Sequence, residues 1–234
     1  MQFEHTYKQY DAELESVRAK VLQMGGLVEQ QVANSLEALV NSDIKLADEV
    51  ISNDHRVNAL EVSIDEDCSH IIARRQPAAG DLRMIMMIVK TITDLERIGD
   101  EAAKIARVTL RIHESERLYS MRFTEIRTMV TISLNMLRMA LDAFARLDVS
   151  KTVEVARQDE QVDENFRAVM RQLITFMLED PRTISMSLDV LFVAKNVERI
   201  GDHAKNIAEY VVYMVKGKDV RHTSVQEMER ETLQ

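Results

Sequence analysis

Apolar residues recur every three or four positions along most of the chain. The first such stretch runs from about Glu4 to Asn41, with apolar residues at Leu14, Val17, Val21, Met24, Val28, Val32, Leu36 and Leu39. This spacing predicts a long amphipathic helix with a seam like that of a coiled coil. The pair Gly25-Gly26 interrupts the good helix formers, and we interpret it as a point of close packing or a slight kink.

The same period predicts two further helices in the first half of the chain. Asp43 is a suitable N-cap for the second helix, which ends near Arg75. The segment 76–80 contains Pro77 and breaks that helix. Asp81 then caps a third helix, which ends near Glu116.

Three more helices are predicted in the second half. The fourth begins near Phe123 and keeps the same rhythm of apolar positions. The fifth ends near Leu178, where the segment 179–182 brings a second proline, and the sixth ends near Gly217. Residues 218–234 are polar and lack an apolar period, so we predict a loose tail.

The two halves resemble each other. Residues 141–149 align with residues 36–44 at an offset of 105, so Asp148 is expected to cap a helix as Asp43 does. We therefore predict an all-α protein built by duplication of a three-helix unit. One bundle would occupy residues 1–116 and the other residues 117–217.

A five-residue segment that occurs twice is the strongest sign of duplication. Glu-Arg-Ile-Gly-Asp stands at 96–100 and again at 198–202, displaced by 102 residues. Each copy places two carboxylates one turn apart on one helix face, Glu96 with Asp100 and Glu198 with Asp202. Each copy also keeps a glycine inside a helix, at a cost of about 1 kcal/mol relative to alanine. We therefore expect another group to approach the backbone closely there.

Each half has a second polar pair on its middle helix. In the second half it is Asp159 and Asp163, and the equivalent residues of the first half are Asp54 and Asn58. Antiparallel packing would place each pair opposite the repeated carboxylates of its own half. Facing carboxylates repel unless they are neutralised, and oxygen ligands suit magnesium, manganese, calcium or oxidised iron.

A lattice of salt bridges is the alternative interpretation of these carboxylates. Arg56, Arg97 and Arg199 lie close to them in sequence. Charged pairs at this helical spacing usually form a solvated face rather than a binding site. The repetition of the segment together with its glycine favours two equivalent metal sites.

Composition narrows the class of function. The net charge of −9 argues against nucleic acid or anionic lipid as a partner. The lone cysteine, Cys68, excludes an internal disulfide and fits a reducing cytosol. The N-terminus lacks the pattern of a signal peptide, and the apolar run 84–89 is too short to span a membrane. No nucleophile is paired with a base, so no catalytic residue is predicted.

The chain resembles the PhoU family, accessory and regulatory proteins of the bacterial phosphate-specific transport system. The resemblance rests on the two repeated segments, on Arg-Arg-Gln-Pro-Ala-Ala-Gly-Asp-Leu-Arg at 74–83 and on Glu-Asp-Pro-Arg at 179–182. It covers about residues 8–222 and implies two three-helix bundles with pseudo-twofold symmetry, often in a homodimer. It also implies a metal ion such as iron, zinc, manganese or magnesium, bound at Asp54, Asn58, Glu96, Asp100, Asp159, Asp163, Glu198 and Asp202. Asn58 departs from the acidic pattern, which weakens the first site.

The resemblance also implies a function. Members restrain phosphate uptake and silence the phosphate-starvation response when phosphate is plentiful. They do so by contact with the ATPase subunit of the phosphate ABC transporter and with the sensor histidine kinase. We therefore expect a cytoplasmic, non-enzymatic regulator at the inner membrane face, without membrane insertion. Two alternatives stay open: a metal-dependent oxidase or hydrolase that uses the carboxylates, and a metal-storage or purely structural bundle.

Overall fold

A computed structural model describes residues 8–114 and 124–233 and shows a helical protein. Its seven α-helices are α1 Lys8–Asn41, α2 Ile44–Arg75, α3 Ala79–Glu114, α4 Thr124–Arg146, α5 Thr152–Glu179, α6 Ile184–Lys216 and α7 Val225–Leu233. A short 3-10 helix, Pro181–Thr183, joins α5 to α6. Within the described ranges there is no β-strand, and no helix combines the length and apolarity that a membrane crossing requires.

The predicted all-α fold of two tandem three-helix bundles is confirmed. Helices α1, α2 and α3 pack together, and so do α4, α5 and α6. The halves meet where α3 packs along α6 and α1 packs on α4. One hydrophobic core runs through both halves, from Val21 and Ile98 in the first to Leu137 and Ile200 in the second. The predicted helix limits Glu4, Glu116 and Phe123, and the boundary between the units, lie outside the described residues.

The connections after α1 and α4 confirm the duplication and correct one capping assignment. Ser42 and Leu147, equivalent at the offset of 105, both adopt a left-handed backbone with φ of 55° and 51°. As predicted, Asp43 caps α2 by accepting a bond from the Leu46 amide at 3.1 Å. Asp148 does not cap α5. The second connection is longer, so Asp148 precedes the helix by four residues and accepts from the Ser150 amide at 2.9 Å.

Helix α3 begins before its predicted cap. Gln76 ends α2 with a left-handed φ of 47°, and Pro77 follows, as the break at 76–80 predicted. The Leu82 amide then donates to the Ala78 carbonyl at 2.9 Å, so helical bonding starts ahead of Asp81. Asp81 therefore lies in the first turn of α3, where a carboxylate favours the helix dipole, and is not the N-cap.

The close packing predicted at Gly25-Gly26 occurs at the first of the two glycines. A Cβ atom on Gly25 would lie 2.6 Å from Cδ2 of Leu141 on α4, whereas a Cβ on Gly26 would meet nothing within 4 Å. The absence of a side chain at Gly25 thus allows α1 to approach α4 across the boundary between the halves.

The C-terminal segment is more ordered than its polar composition predicts. Residues Val225–Leu233 form α7, and Met228 is buried against Val153, Ala156 and Val212 in a small separate cluster. Val220 completes that cluster. One buried methionine and one buried valine are enough to hold the segment on α5, although they are too few to create a visible apolar period.

Candidate functional site

The two repeated segments lie at the middle of α3 and of α6, the helices that pack along each other. The predicted close approach to their glycines holds for only one copy. A Cβ on Gly99 would lie 3.1 Å from Oε1 of Gln31, a buried side chain of α1. A Cβ on Gly201 would lie at an ordinary 3.6 Å from Oγ of Ser133. The approaching group at Gly99 is therefore a glutamine of the protein itself.

The first acidic patch consists of Asp54, Asn58, Glu96 and Asp100. Helices α2 and α3 bring Asp54 towards Glu96 and Asp100, as predicted from antiparallel packing. Burial, and then the charge of Asp100, raise the pKa of Asp54 above its ordinary value. Burial likewise raises the pKa of Glu96, opposed by Arg97 and assisted by Asp100 and Asp54. Asp54 Oδ1 is buried without a well-aligned hydrogen bond.

The second acidic patch consists of Asp159, Asp163, Glu198 and Asp202, on α5 and α6. The residue Asp202 is exposed to solvent, but the protein atoms packed around its carboxyl group desolvate that group. This desolvation, and then the charges of Glu198, Asp159 and Asp163, raise the pKa of Asp202 to about 6. Four acidic side chains thus interact at one place.

Basic side chains, mainly lysines, neutralise both patches. Lys104 Nζ lies 2.8 Å from Asp100 Oδ2, and Lys205 Nζ lies 2.8 Å from Asp159 Oδ2. Lys195 Nζ lies 2.5 Å from Glu198 Oε2, and Arg167 is 3.8 Å from Asp163. Of the arginines named in the alternative of a salt-bridge lattice, Arg97 lies 3.7 Å from Glu96, and Arg199 pairs with Glu101 instead of the patch. The alternative is therefore supported in part, with lysines forming the shorter ion pairs.

The patches have suitable metal ligands but not a preformed metal geometry. Carboxylate oxygens are the donors that hard cations prefer, and burial together with the charges of the neighbouring carboxylates raises the pKa of Asp202 although Lys195 opposes the shift. Yet no group of three or more Asp, Glu, His or Cys side chains within the described ranges surrounds a point that could hold an ion. A cation would have to displace the lysines, and metal binding at the eight residues remains a prediction.

Contacts between α3 and α6 include a buried charged network that the sequence did not predict. Glu101 is fully buried, and its Oε1 lies 2.8 Å from Nη1 of Arg199 and 3.0 Å from Nζ of Lys104. His203 Nδ1 lies 2.6 Å from Asp94 Oδ1. These groups were visible as differences between the copies, since Glu101 and His203 occupy equivalent positions.

A row of apolar side chains on α6 is exposed to solvent. It consists of Ile184, Leu188 and Phe192, spaced four residues apart, and we call it the α6 row. Phe192 is 58% exposed. At the end of the neighbouring α5, Leu178 is 80% exposed. Exposed apolar surface of this kind is typical of a contact site for another protein.

Within the described ranges, fold and site together define a class: a helical protein of two packed three-helix units, each with an acidic patch. The sequence model of the PhoU domain matches residues 21–109 and 126–211. The chain belongs to the PhoU family, as its sequence motifs indicated.

Named relatives are similar over nearly the whole chain. The phosphate-specific transport system accessory protein PhoU homolog of Pseudomonas putida is 48% identical over 227 residues, which are 97% of this chain and 88% of that protein. The crystal structure of PhoU from Pseudomonas aeruginosa has a TM-score of 0.86 at 47% identity, covering 89% of this chain and all of that one. The phosphate transport system regulatory protein PhoU from Streptococcus pneumoniae has a TM-score of 0.83 at 30% identity, covering 90% of this chain and 99% of that one.

Proposed function

We propose that this chain is a non-enzymatic accessory regulator of phosphate transport. In this proposal it restrains phosphate uptake and silences the phosphate-starvation response when phosphate is plentiful. It acts from the cytoplasm by contact with the ATPase subunit of the phosphate ABC transporter and with the sensor histidine kinase. The high identity to phosphate-specific transport accessory proteins supports this role.

The observation that carries the proposed contact is the α6 row. Ile184, Leu188 and Phe192 present a line of apolar side chains along the first part of α6. A helix face of this kind suits insertion into a hydrophobic groove of a partner. Large aromatic and aliphatic anchors carry most of the affinity in such contacts, so Phe192 is the side chain we expect to matter most.

Direct binding to the purified ATPase subunit tests the proposal. We expect the wild-type chain to bind and Phe192→Ser to reduce the affinity at least about tenfold, since a large buried anchor is lost. Val62→Ser is a matched control because Val62, on α2, is also 58% exposed but lies apart from the row. Failure of the wild type to bind either the ATPase subunit or the kinase would contradict the proposal.

Light scattering on the same variants separates partner binding from self-association. The family resemblance implies a homodimer, and an exposed apolar row could serve that interface instead. If the row contacts the ATPase subunit, Phe192→Ser should leave the mass of the free protein unchanged. Conversion of a dimer to a monomer by Phe192→Ser, with binding to the ATPase subunit intact, would assign the row to self-association.

A metal ion at the second acidic patch is a second proposal, supported by the raised pKa of Asp202. Asp159, Asp163, Glu198 and Asp202 would supply oxygen ligands, and the bound cation would relieve their repulsion. Titration with manganese, iron or zinc should show saturable binding that Asp202→Asn weakens. Asp142→Asn removes a surface carboxylate of α4 and is the control. Equal binding by both variants would contradict the site.

A further inference from the structure

A pocket of about 430 Å³ lies between the N-terminal part of α3 and the C-terminal part of α6. Leu82, Met86 and Met87 form an apolar wall, and Tyr210 and Tyr213 line the side of α6. The segment that follows α6 closes the pocket with Asp219 and Arg221. Its volume and mainly apolar lining are those of a small-molecule site.

Two cations in this pocket lie over tyrosine rings. The guanidinium carbon of Arg83 lies 5.8 Å from the ring centre of Tyr213, and Nζ of Lys90 lies 5.7 Å from that of Tyr210. Neither side chain forms a salt bridge with any described residue, and Nε of Arg83 is buried without a hydrogen-bond partner. The rings hold both cations in place, so their charge is available to an anionic ligand.

The acidic residues of the pocket do not cancel this charge. Asp219 pairs with Arg221, whose Nη2 lies 2.5 Å from Oδ2 of the aspartate. Arg221 is the main cause of the lowered pKa of Asp219, and the charge of Lys90 contributes less. Burial raises the pKa of Glu209 to about 7, so its carboxyl carries only part of a negative charge at neutral pH. The pocket therefore keeps a net positive character beside an apolar wall.

The internal duplication provides a comparison for these residues. At the offset of 102, Leu82 and Met86 correspond to Ile184 and Leu188, so the apolar character is kept in both halves. The cations and rings are not kept. At the same offset, the pocket residues Arg83, Lys90, Tyr210 and Tyr213 correspond to Ser185, Phe192, Val108 and Arg111 respectively. Phe192 and Arg111 exchange the aromatic and basic types, and the other two positions keep neither type. The combination of two cations with two tyrosines is therefore found at this end of the molecule and not at its equivalent in the repeat.

Gly217, at the end of α6, lies very close to the guanidinium of Arg83. It adopts a left-handed φ of 72° as the C-cap, and a Cβ atom there would lie 2.5 Å from Nη1 of Arg83. A side chain at this position would displace the guanidinium from the pocket. The helix terminus thus leaves room for Arg83 in its present position.

We propose that this pocket binds a nucleoside phosphate, with the phosphate on Arg83 and Lys90 and the base against the apolar wall and Tyr213. Arginine and lysine side chains bind phosphate oxygens, and the aromatic and thioether side chains suit a planar base. The pocket lies at the end of α6 opposite the α6 row, so this inference does not depend on the proposed regulatory function.

Calorimetry in a phosphate-free buffer tests the assignment, with AMP as the probe and adenosine and inorganic phosphate as partial ligands. We expect saturable binding of one AMP per chain below about 1 mM, and weaker binding of either part alone. Arg83→Met and Lys90→Met each remove one positive charge and keep a long, unbranched side chain. Each should weaken AMP binding at least about tenfold through the loss of a charge-assisted hydrogen bond.

Arg127→Met is the control, because Arg127 is an exposed arginine of α4 outside the pocket. The affinity of this variant for AMP should stay within about twofold of that of the wild type. Circular dichroism verifies that each variant is folded. If Arg83→Met does not fold, Lys90→Met alone tests the role of the cations. Three results would each overturn the proposal: no saturable binding of AMP, equal affinity for AMP and inorganic phosphate, or equal affinity of Lys90→Met and wild type.

Discussion

His203 Nδ1 lies 2.6 Å from Asp94 Oδ1, and this contact joins the two repeated helices at the centre of the molecule. Asn206 Nδ2 donates to the same carboxylate oxygen at 3.2 Å. In the duplicated sequence Asp94 corresponds to Asn196, and His203 corresponds to Glu101. The copies therefore differ where they face each other, and these differences place complementary groups across the interface between α3 and α6.

We predict that Asp94→Asn destabilises the protein by about 1–3 kcal/mol, because His203 and Asn206 lose a buried charged acceptor. Asp94 is 7% exposed, so solvent cannot replace it. Urea denaturation measures the effect. The control Asp142→Asn breaks an exposed pair with Arg146 and should cost no more than about 0.5 kcal/mol. If Asp94→Asn lost no more stability than Asp142→Asn, the contact between Asp94 and His203 would contribute little to stability.

Adjacent glycines of α1 should respond in opposite directions to alanine. Gly25→Ala places a Cβ 2.6 Å from Leu141 Cδ2, and we expect a loss of about 1–3 kcal/mol as α1 and α4 are forced apart. Gly26→Ala meets nothing within 4 Å and should gain up to about 1 kcal/mol from helix propensity. Thermal or urea denaturation of both variants compares them. A similar change in both would contradict close packing at Gly25.

The stability contribution of Glu209 should depend on pH. Burial raises the pKa of this carboxyl from 4.5 to about 7 in the folded protein. Between these values the unfolded chain releases the proton while the folded chain retains it, so rising pH removes stability. Glu209→Gln stays neutral and should be more stable than wild type by about 1–3 kcal/mol at pH 8, with a smaller difference or none at pH 4.5.

Urea denaturation at both pH values measures this difference. Glu164→Gln, at an exposed position of α5, is the control and should show no comparable change between the two. If the stabilities of the wild type and of Glu209→Gln changed by the same amount between the two pH values, a buried carboxyl at position 209 would be contradicted.

The fold could be predicted from the sequence because the helices are long and their apolar period is regular. Connections were less predictable, since they depend on a few backbone bonds. Asp148 aligned with a true N-cap, yet a longer connection placed it four residues from α5. The tail showed no period, yet the buried side chains of Val220 and Met228 hold it on the bundle.

The sequence was enough to predict which residues form the acidic patches, but not which basic side chains neutralise them. Helical spacing is enough to place Asp159 opposite Glu198 across antiparallel helices. The sequence could not show that Lys205 and Lys195 would reach these carboxylates, because long flexible side chains can adopt many directions. The pocket beside Arg83 was missed for a similar reason, since its walls come from segments more than a hundred residues apart.

Restraint of the phosphate-starvation response in cells tests the proposed regulatory role most directly. In a bacterial strain that lacks its own copy, a starvation reporter is measured in phosphate-rich medium after the chain is supplied. We predict that wild type and Val62→Ser silence the reporter and that Phe192→Ser, at equal protein level, does not. A reporter silenced equally by Phe192→Ser, or not silenced by the wild type, would contradict the account.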